Sequence, residues 1–387
     1  KIFFSIITSI LLCNIWAVEY LQGSTDKAWH LMEMAKIAIE KKEFGNALLY
    51  VERAMEIHTQ TYQKNYEYLK NALKPAEVRR AGDDIDEVYK ALKDRDDYDA
   101  LKIMDNIFLL QPRVVFDFSM KRLLSYIKER IAFPEADYIT GRIYSIQGEY
   151  KQAMSYYEKA YKNVKLLEIP DERFNIIYSI ADTAGLLGLH DMQERYLLLV
   201  LTEDATFGST VLESSKLKSM LNVITKEKTV DKFFKLYRVN KKIALKAYRD
   251  LSYIYLEAGN GKRSLATSAI AANIAITTLS EMLERADFNY TYSGFKDVLS
   301  RTGKNNAIKQ WAEEKKLWDV FINFADSLEA NGYTVQAVDM YHKIAESIPS
   351  LDYSQRAMYK ASSAVPTVSV GQDGDINSLI EALEEAF

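Results

Sequence analysis

"GRIYSIQGEYKQAMSYYEKAYKNVK", residues 141–165, is the stretch whose reading decides the fold. Small or aromatic residues return at Gly141, Tyr144, Ala153, Tyr157 and Ala160, on either side of the loop "QGEY". Apolar positions at i, i+3, i+4 and i+7 around a glycine loop predict two helices folded back on each other. A helical hairpin packs closely only where small side chains let the backbones approach. Gly141 and Ala153 are therefore the expected contact points. Tyr157 fills the space beside them, and Ala160 admits the next hairpin.

The phrase recurs. "KEFGNALLYVERAMEI" places Ala47 after Phe44, "DDYDALKIMDNIFLLQP" places Ala100 after Tyr98, and "ANGYTVQAVDMYHKIAESIP" places Ala337 after Tyr333. Each is preceded by a segment of helical period, such as "WHLMEMAKIAIEKK" or "FINFADSLEA". Two weaker copies turn at Gly188 and at Gly259–Gly261, with Gln193 and Ser264 at the place of the alanine. A lone hairpin cannot stand, because ordering it costs about 1–2 kcal/mol per residue in backbone entropy. Its few large apolar side chains, at roughly 1.5–3 kcal/mol each, do not offset that. Stacked neighbours must bury the remaining faces.

These residues resemble the tetratricopeptide repeat. Gly141, Tyr144, Ala153, Tyr157 and Ala160 fill its pattern almost fully. Ala325, Gly332, Ala337, Tyr341 and Pro349 fill most of it, and Ala35, Ala38, Ala47, Val51 and Ala54 fill it in part. The resemblance covers half to two thirds of the chain. It implies an all-α protein, a right-handed α-solenoid of helical hairpins with inserted helices. The insertions follow from irregular spacing: Ala47 to Ala100 is 53 residues, and Ser264 to Ala337 is 73. "TQTYQKNYEYLKNALK" is expected to prolong one second helix as far as Pro75. "FDFSMKRLLSYIKERIAF", "TVLESSKLKSMLNVITKEK" and "TVDKFFKLYRVNKK" are expected as extra helices, the last two behind Thr210 and Thr229 caps. "NNAIKQWAEEKKLWDVFINFADSLEA" reads as one long helix.

The ends are different. Residues 1–17, "KIFFSIITSILLCNIWA", have one lysine and then an uncharged apolar run, the pattern of a secretory signal. Cleavage after Ala17 leaves a chain without cysteine, since Cys13 is the only one. The other readings are a lipid anchor at Cys13, where Leu12 departs from the small residue wanted before it, or an uncleaved signal. The expected organisation is then an N-terminal array over 24–170, degenerate hairpins with inserts over 171–286, and C-terminal helices with one clear hairpin over 287–361. A linker and short helix follow over 362–387.

Little in the sequence carries chemistry. The four histidines, His30, His58, His190 and His342, share no helical spacing. "GNGKRS" lacks the first glycine of a phosphate loop, where Leu256 stands. Acid pairs such as Asp83–Asp84 and Glu313–Glu314 fall on polar faces. No catalytic residue, cofactor or metal ligand is assigned. A net charge of −4 offers nucleic acid no platform. The membrane is reached only through Cys13 or the signal.

Tyrosine is the one enrichment, 26 residues. The resemblance places the first helices of the hairpins along a concave groove. By that register Lys36, Tyr89, Tyr138, Arg142, Tyr178, Arg249, Tyr253, Asn323 and Asp326 are the candidate partner-binding residues. Tyrosine gives contact area at low entropy cost. The competing reading is that the tyrosines pack hairpin against hairpin. Some family members clamp a peptide carboxylate with Asn and Lys/Arg, but here Glu33, Lys36, Ile139 and Arg142 stand at those places, with no Asn. The expected role is an exported adaptor or scaffold for a protein or peptide partner in a cell envelope. The alternatives are a self-assembling envelope protein, a ligand-delivery subunit, and a helical enzyme with its site between repeats and inserts.

Overall fold

The computed structural model describes residues 27–364 except 83, 111–119, 204–213, 228, 241 and 349. The expected signal segment, Cys13, the Thr210 cap and residues 365–387 lie outside the described residues. Among the described residues there are α-helices, two short 3-10 turns and no strand. The chain divides into two compact units, residues 1–179 and 180–387.

The first unit contains α1 (Ala28–Glu40), α2 (Phe44–Ala72), α3 (Ala76–Arg80), α4 (Ile85–Asp94), α5 (Tyr98–Leu110), α6 (Met120–Glu129), α7 (Pro134–Ile146) and α8 (Tyr150–Lys162). Helix α9 (Glu172–Leu186) spans the division. The second contains α10 (His190–Glu203), α11 (Ser214–Lys226), α12 (Asp231–Leu236), α13 (Leu245–Glu257), α14 (Gly261–Ala286), α15 (Phe295–Lys304), α16 (Asn306–Glu314), α17 (Leu317–Ala330), α18 (Thr334–Ser347) and α19 (Leu351–Ser363).

Six helical pairs turn in one way: α1–α2, α4–α5, α7–α8, α9–α10, α13–α14 and α17–α18. In α7–α8, Gly148 takes φ +83°, and the N–H of Glu149 donates back to the Tyr144 carbonyl at 2.9 Å. This is a Schellman stop, in which one left-handed residue reverses the chain and occupies a spare helical carbonyl. The same bond closes the other five, at Glu43, Asp97, Leu189, Asn260 and Tyr333, each one residue after a positive φ. Glycine supplies that φ in four pairs. Lys42 and Asp96 supply it in the first two, at φ 60° and 56°.

The close approach lies where the opening stretch predicts it. A Cβ added to Gly141 would stand 2.6 Å from the Tyr157 ring and 3.2 Å from the Ala153 carbonyl. The same twelve-residue separation links Ala35 to Ala47, Ala325 to Ala337, and Ser252 to Ser264, and all six residues are fully buried. One turn further along the second helix, Val51, Tyr157 and Tyr341 are buried, Tyr157 with its ring against Gly141.

In the first unit the 29-residue α2 serves two cores. Its first half, through Ala47, Val51 and Ala54, packs with α1 and α7; its second half, through Leu69 and Ala72, packs with α4, α5 and α6. The prolonged second helix expected before Pro75 is this helix. In the second unit α14 is central. Residues Ser264–Ser280 are buried on every side, against α13, α15 and α17. Its run of Ala, Ser and Thr is thin enough to admit several neighbours.

One segment departs from the sequence reading. Residues 306–330 form two helices, not one. The break is at Lys316, at φ +54°. Residues 313–316, "EEKK", are all exposed, so no apolar stripe carries the helix through. The Lys315 carbonyl freed there accepts from Arg249 Nη1 at 3.1 Å. A tertiary bond has replaced a helical one.

Candidate functional site

The nine candidate residues divide between the units. In the first, Lys36 is half-buried and pairs with the exposed Glu33 one turn away at 2.7 Å. Tyr138 is half-buried, with its ring 5.8 Å from Tyr157 and packed on the α1–α2–α7 core. Arg142 and Tyr178 are half-buried. Tyr89 turns toward its own partner helix: its hydroxyl donates to Asp105 on α5 at 2.6 Å. Counted back from the turn at Asp96, Tyr89 stands where Gly141 stands before Gly148. That register faces the hairpin interior, so Tyr89 braces its own pair.

The other four, Arg249, Tyr253, Asn323 and Asp326, are brought together in the second unit, on the first helices α13 and α17. They belong to a continuous polar ladder. On α13, Lys246, Arg249, Asp250 and Tyr253 recur at i, i+3, i+4 and i+7 and so share one face. Lys246 Nζ lies 2.5 Å from both Asp182 on α9 and Asp250. Arg249 Nε donates to Asp250 at 2.7 Å. Tyr253 donates to the Asp319 carbonyl of α17 at 3.1 Å.

The ladder continues from α17 to α19. Asp319 accepts from the Tyr353 hydroxyl at 3.0 Å and lies 3.8 Å from Arg356. Asp326 accepts from Lys360 Nζ at 2.6 Å and from the Tyr341 hydroxyl at 2.5 Å. Four cations thus meet four carboxylates, and each carboxylate already has a cationic partner. Desolvation raises the Tyr253 phenol, and Asp319 raises it further. The same two causes, burial and then a carboxylate (Asp326), push Tyr341 far up. Both stay protonated donors. Burial disfavours the charge on Arg249, but Asp250 and its other negative neighbours outweigh this, and its pKa rises.

Asn323 sits beneath the ladder, fully buried. Its amide donates to Ser252 Oγ on α13, while Ser264 Oγ lies 2.7 Å from Ser327 Oγ and donates to the Ser252 carbonyl at 3.0 Å. This cluster ties three helices together, and Asn323 within it is inaccessible to a partner. Beside the ladder, Asp250 and Tyr253 help line a cleft of about 460 Å³ with His190, Gln193 and Glu257.

Sequence reasoning missed Lys246, Asp250, Asp319, Tyr353, Arg356 and Lys360. The signal was present in the helical spacing of polar residues on α13 and on α19, where Tyr353, Arg356 and Lys360 stand at i, i+3 and i+7. Among the described residues no group of three His, Cys, Asp or Glu side chains could hold a metal. No described helix is long and apolar enough to cross a membrane.

A protein of Treponema pallidum (strain Nichols), described as uncharacterized, is 38% identical to this chain over 334 residues, 86% of this chain and 89% of that protein. No family model matches. The chain belongs to the family that includes this treponemal protein.

Proposed function

We propose that the family shared with the Treponema pallidum protein consists of exported, non-catalytic adaptors, built as right-handed solenoids of tetratricopeptide-like hairpins, that hold a peptide or protein partner on the first-helix face. The observation that carries this reading is the ladder from Asp182 to Lys360. It runs over three successive first helices, α9, α13 and α17, and on to α19, and combines tyrosines with charges already fixed in position. Preorganised polar groups bind with little ordering cost. Their balanced charges suit an extended peptide, which offers alternating donors and acceptors, better than a ligand of one sign. The repeated turn in six pairs supports the solenoid, because units of one shape stack along one direction.

The ladder's exposed ends provide the test. The Asp182 and Arg356 side chains are 52% and 47% exposed, so reversing both charges leaves the core alone. A photo-crosslinking residue at position 356 should trap a partner in the native cell envelope, and one at exposed Lys151 should not. Asp182→Lys with Arg356→Glu should then lose that partner while keeping its melting curve. Full retention of the partner by the folded double variant would move the interface off this face.

A further inference from the structure

We propose that a lysine-walled cleft in the second unit, lined by none of the ladder residues, binds a phosphate-bearing ligand. The cleft encloses about 810 Å³ between α12, residues 292–294, the start of α15, and Lys343 of α18. This volume suits a phosphate with an organic group attached. Its lining carries four ammonium groups, Lys232, Lys235, Lys296 and Lys343, against two carboxylates, Asp231 and Asp297.

Both carboxylates are already engaged, Asp231 within the lining and Asp297 from outside it. Asp231 is held by Lys343 at 2.5 Å, and Asp297 takes Arg301 Nε on both oxygens at 3.0 Å. Lys343 is occupied in turn, by Asp231, Asp339 and Thr229. The other three lysines are available. Lys232 holds the half-buried Glu227 and Lys296 the exposed Glu346, and both lysines are themselves exposed. Such solvated pairs contribute little and exchange readily. Lys235 is exposed and has no ion pair among the described residues.

Two further features fit an anion. Tyr292, which lines the cleft, has a buried hydroxyl without a hydrogen-bond partner among the described residues, and the Arg238 guanidinium lies 4.4 Å over its ring. Helix α15 begins at this wall, after Gly294, with no side-chain cap. Lysine acts as a point charge and suits a tetrahedral oxyanion, whereas a planar carboxylate is matched best by the arginine fork. A soluble phosphorylated molecule and a phospholipid headgroup share this chemistry.

The experiment uses the full chain. Inorganic pyrophosphate is titrated calorimetrically at low salt, and vesicles of phosphatidylcholine with and without phosphatidic acid are tested by flotation. One saturable pyrophosphate site is expected, weakening as salt is raised. Lys235→Gln should weaken it about tenfold, Lys235→Glu should abolish it, and Lys165→Gln in the first unit should leave it unchanged. Pyrophosphate binding without flotation identifies a soluble ligand. Flotation that depends on both phosphatidic acid and Lys235 identifies a headgroup. Binding of neither probe, or undiminished binding by a folded Lys235→Glu variant, overturns the proposal. Because Lys235 is not among the ladder residues, partner capture tests the adaptor reading separately.

Discussion

The hairpins α7–α8 and α13–α14 make the same turn at the same distance from the same contact, yet they close that contact with different chemistry. In α7–α8 it is dry: Gly141 lies under the Tyr157 ring and against the Ala153 backbone. In α13–α14 the equivalent residues are Ser252 and Ser264, hydrogen-bonded to each other's helix and onward to Ser327 and Asn323. A bare contact tolerates any rotation that keeps the backbones close. A hydrogen-bonded contact fixes one rotation and couples a third helix to the pair. The second unit therefore gains register where the first gains proximity.

The largest effect should come from filling the dry contact. Gly141→Val places carbon inside the Tyr157 ring position and should cost about 3 kcal/mol in chemical denaturation. Adding Tyr157→Leu, which vacates the space, should recover part of the loss. If Gly141→Val is neutral, the close approach is not what holds α7 to α8. Next comes the wet contact. Asn323→Leu leaves Ser252 without its amide donor and should cost about 2 kcal/mol. Ser264→Ala restores the residue found at the same place in α7–α8, while Ser327 keeps its bond to the Asn323 carbonyl. It should cost about 1 kcal/mol. A stabilising Ser264→Ala would mean that the polar contact serves no packing purpose.

The dry contact was legible in the sequence because a glycine and an alanine at fixed distance have few other uses in a helix. The wet one was not. Ser264 departs from the small apolar pattern, and nothing local shows that its contact is completed by Ser327 and Asn323, 63 and 59 residues away. The same limit explains the candidate site. Tyr253 and Asp326 were found by register, whereas Tyr353 and Lys360 belong to a helix outside any repeated phrase. Tyr89 was misplaced toward the groove because its hairpin turns on Asp96 and carries no glycine to count from. The break at Lys316 depended on Arg249, a partner 66 residues distant.

A smaller effect separates the first two turns from the later four. Lys42 and Asp96 hold a left-handed conformation that costs an ordinary residue roughly 1 kcal/mol relative to glycine. Lys42→Gly and Asp96→Gly should each stabilise the protein by up to about 1 kcal/mol, less the added entropy of the unfolded glycine. Gly148→Ala should destabilise by a similar amount. Equal and opposite signs in thermal melts would show that the six turns are one device made with two residue types.

The smallest difference concerns acid. In the first unit His58 is stacked on Phe133 at 4.1 Å and donates from Nε2 to the Arg130 carbonyl at 2.8 Å. Burial lowers its pKa below the ordinary 6.5, against a partial rise from the Arg130 and Ala132 carbonyls. The unfolded chain therefore takes up this proton more readily than the folded one. The contribution of His58 is complete above about pH 6.5 and is lost as the pH falls through that value toward the folded pKa. Nearby Glu135, whose pKa burial raises, works in the opposite sense as a carboxylate that costs stability once ionised. Only the difference between the wild type and His58→Gln isolates the histidine. Hydrogen exchange across pH 7 to 5 should show α2 and residues 130–133 losing protection in the wild type and less so in His58→Gln, with α13 and α14 unaffected. Equal loss in both proteins would place the acid sensitivity of the first unit on its carboxylates.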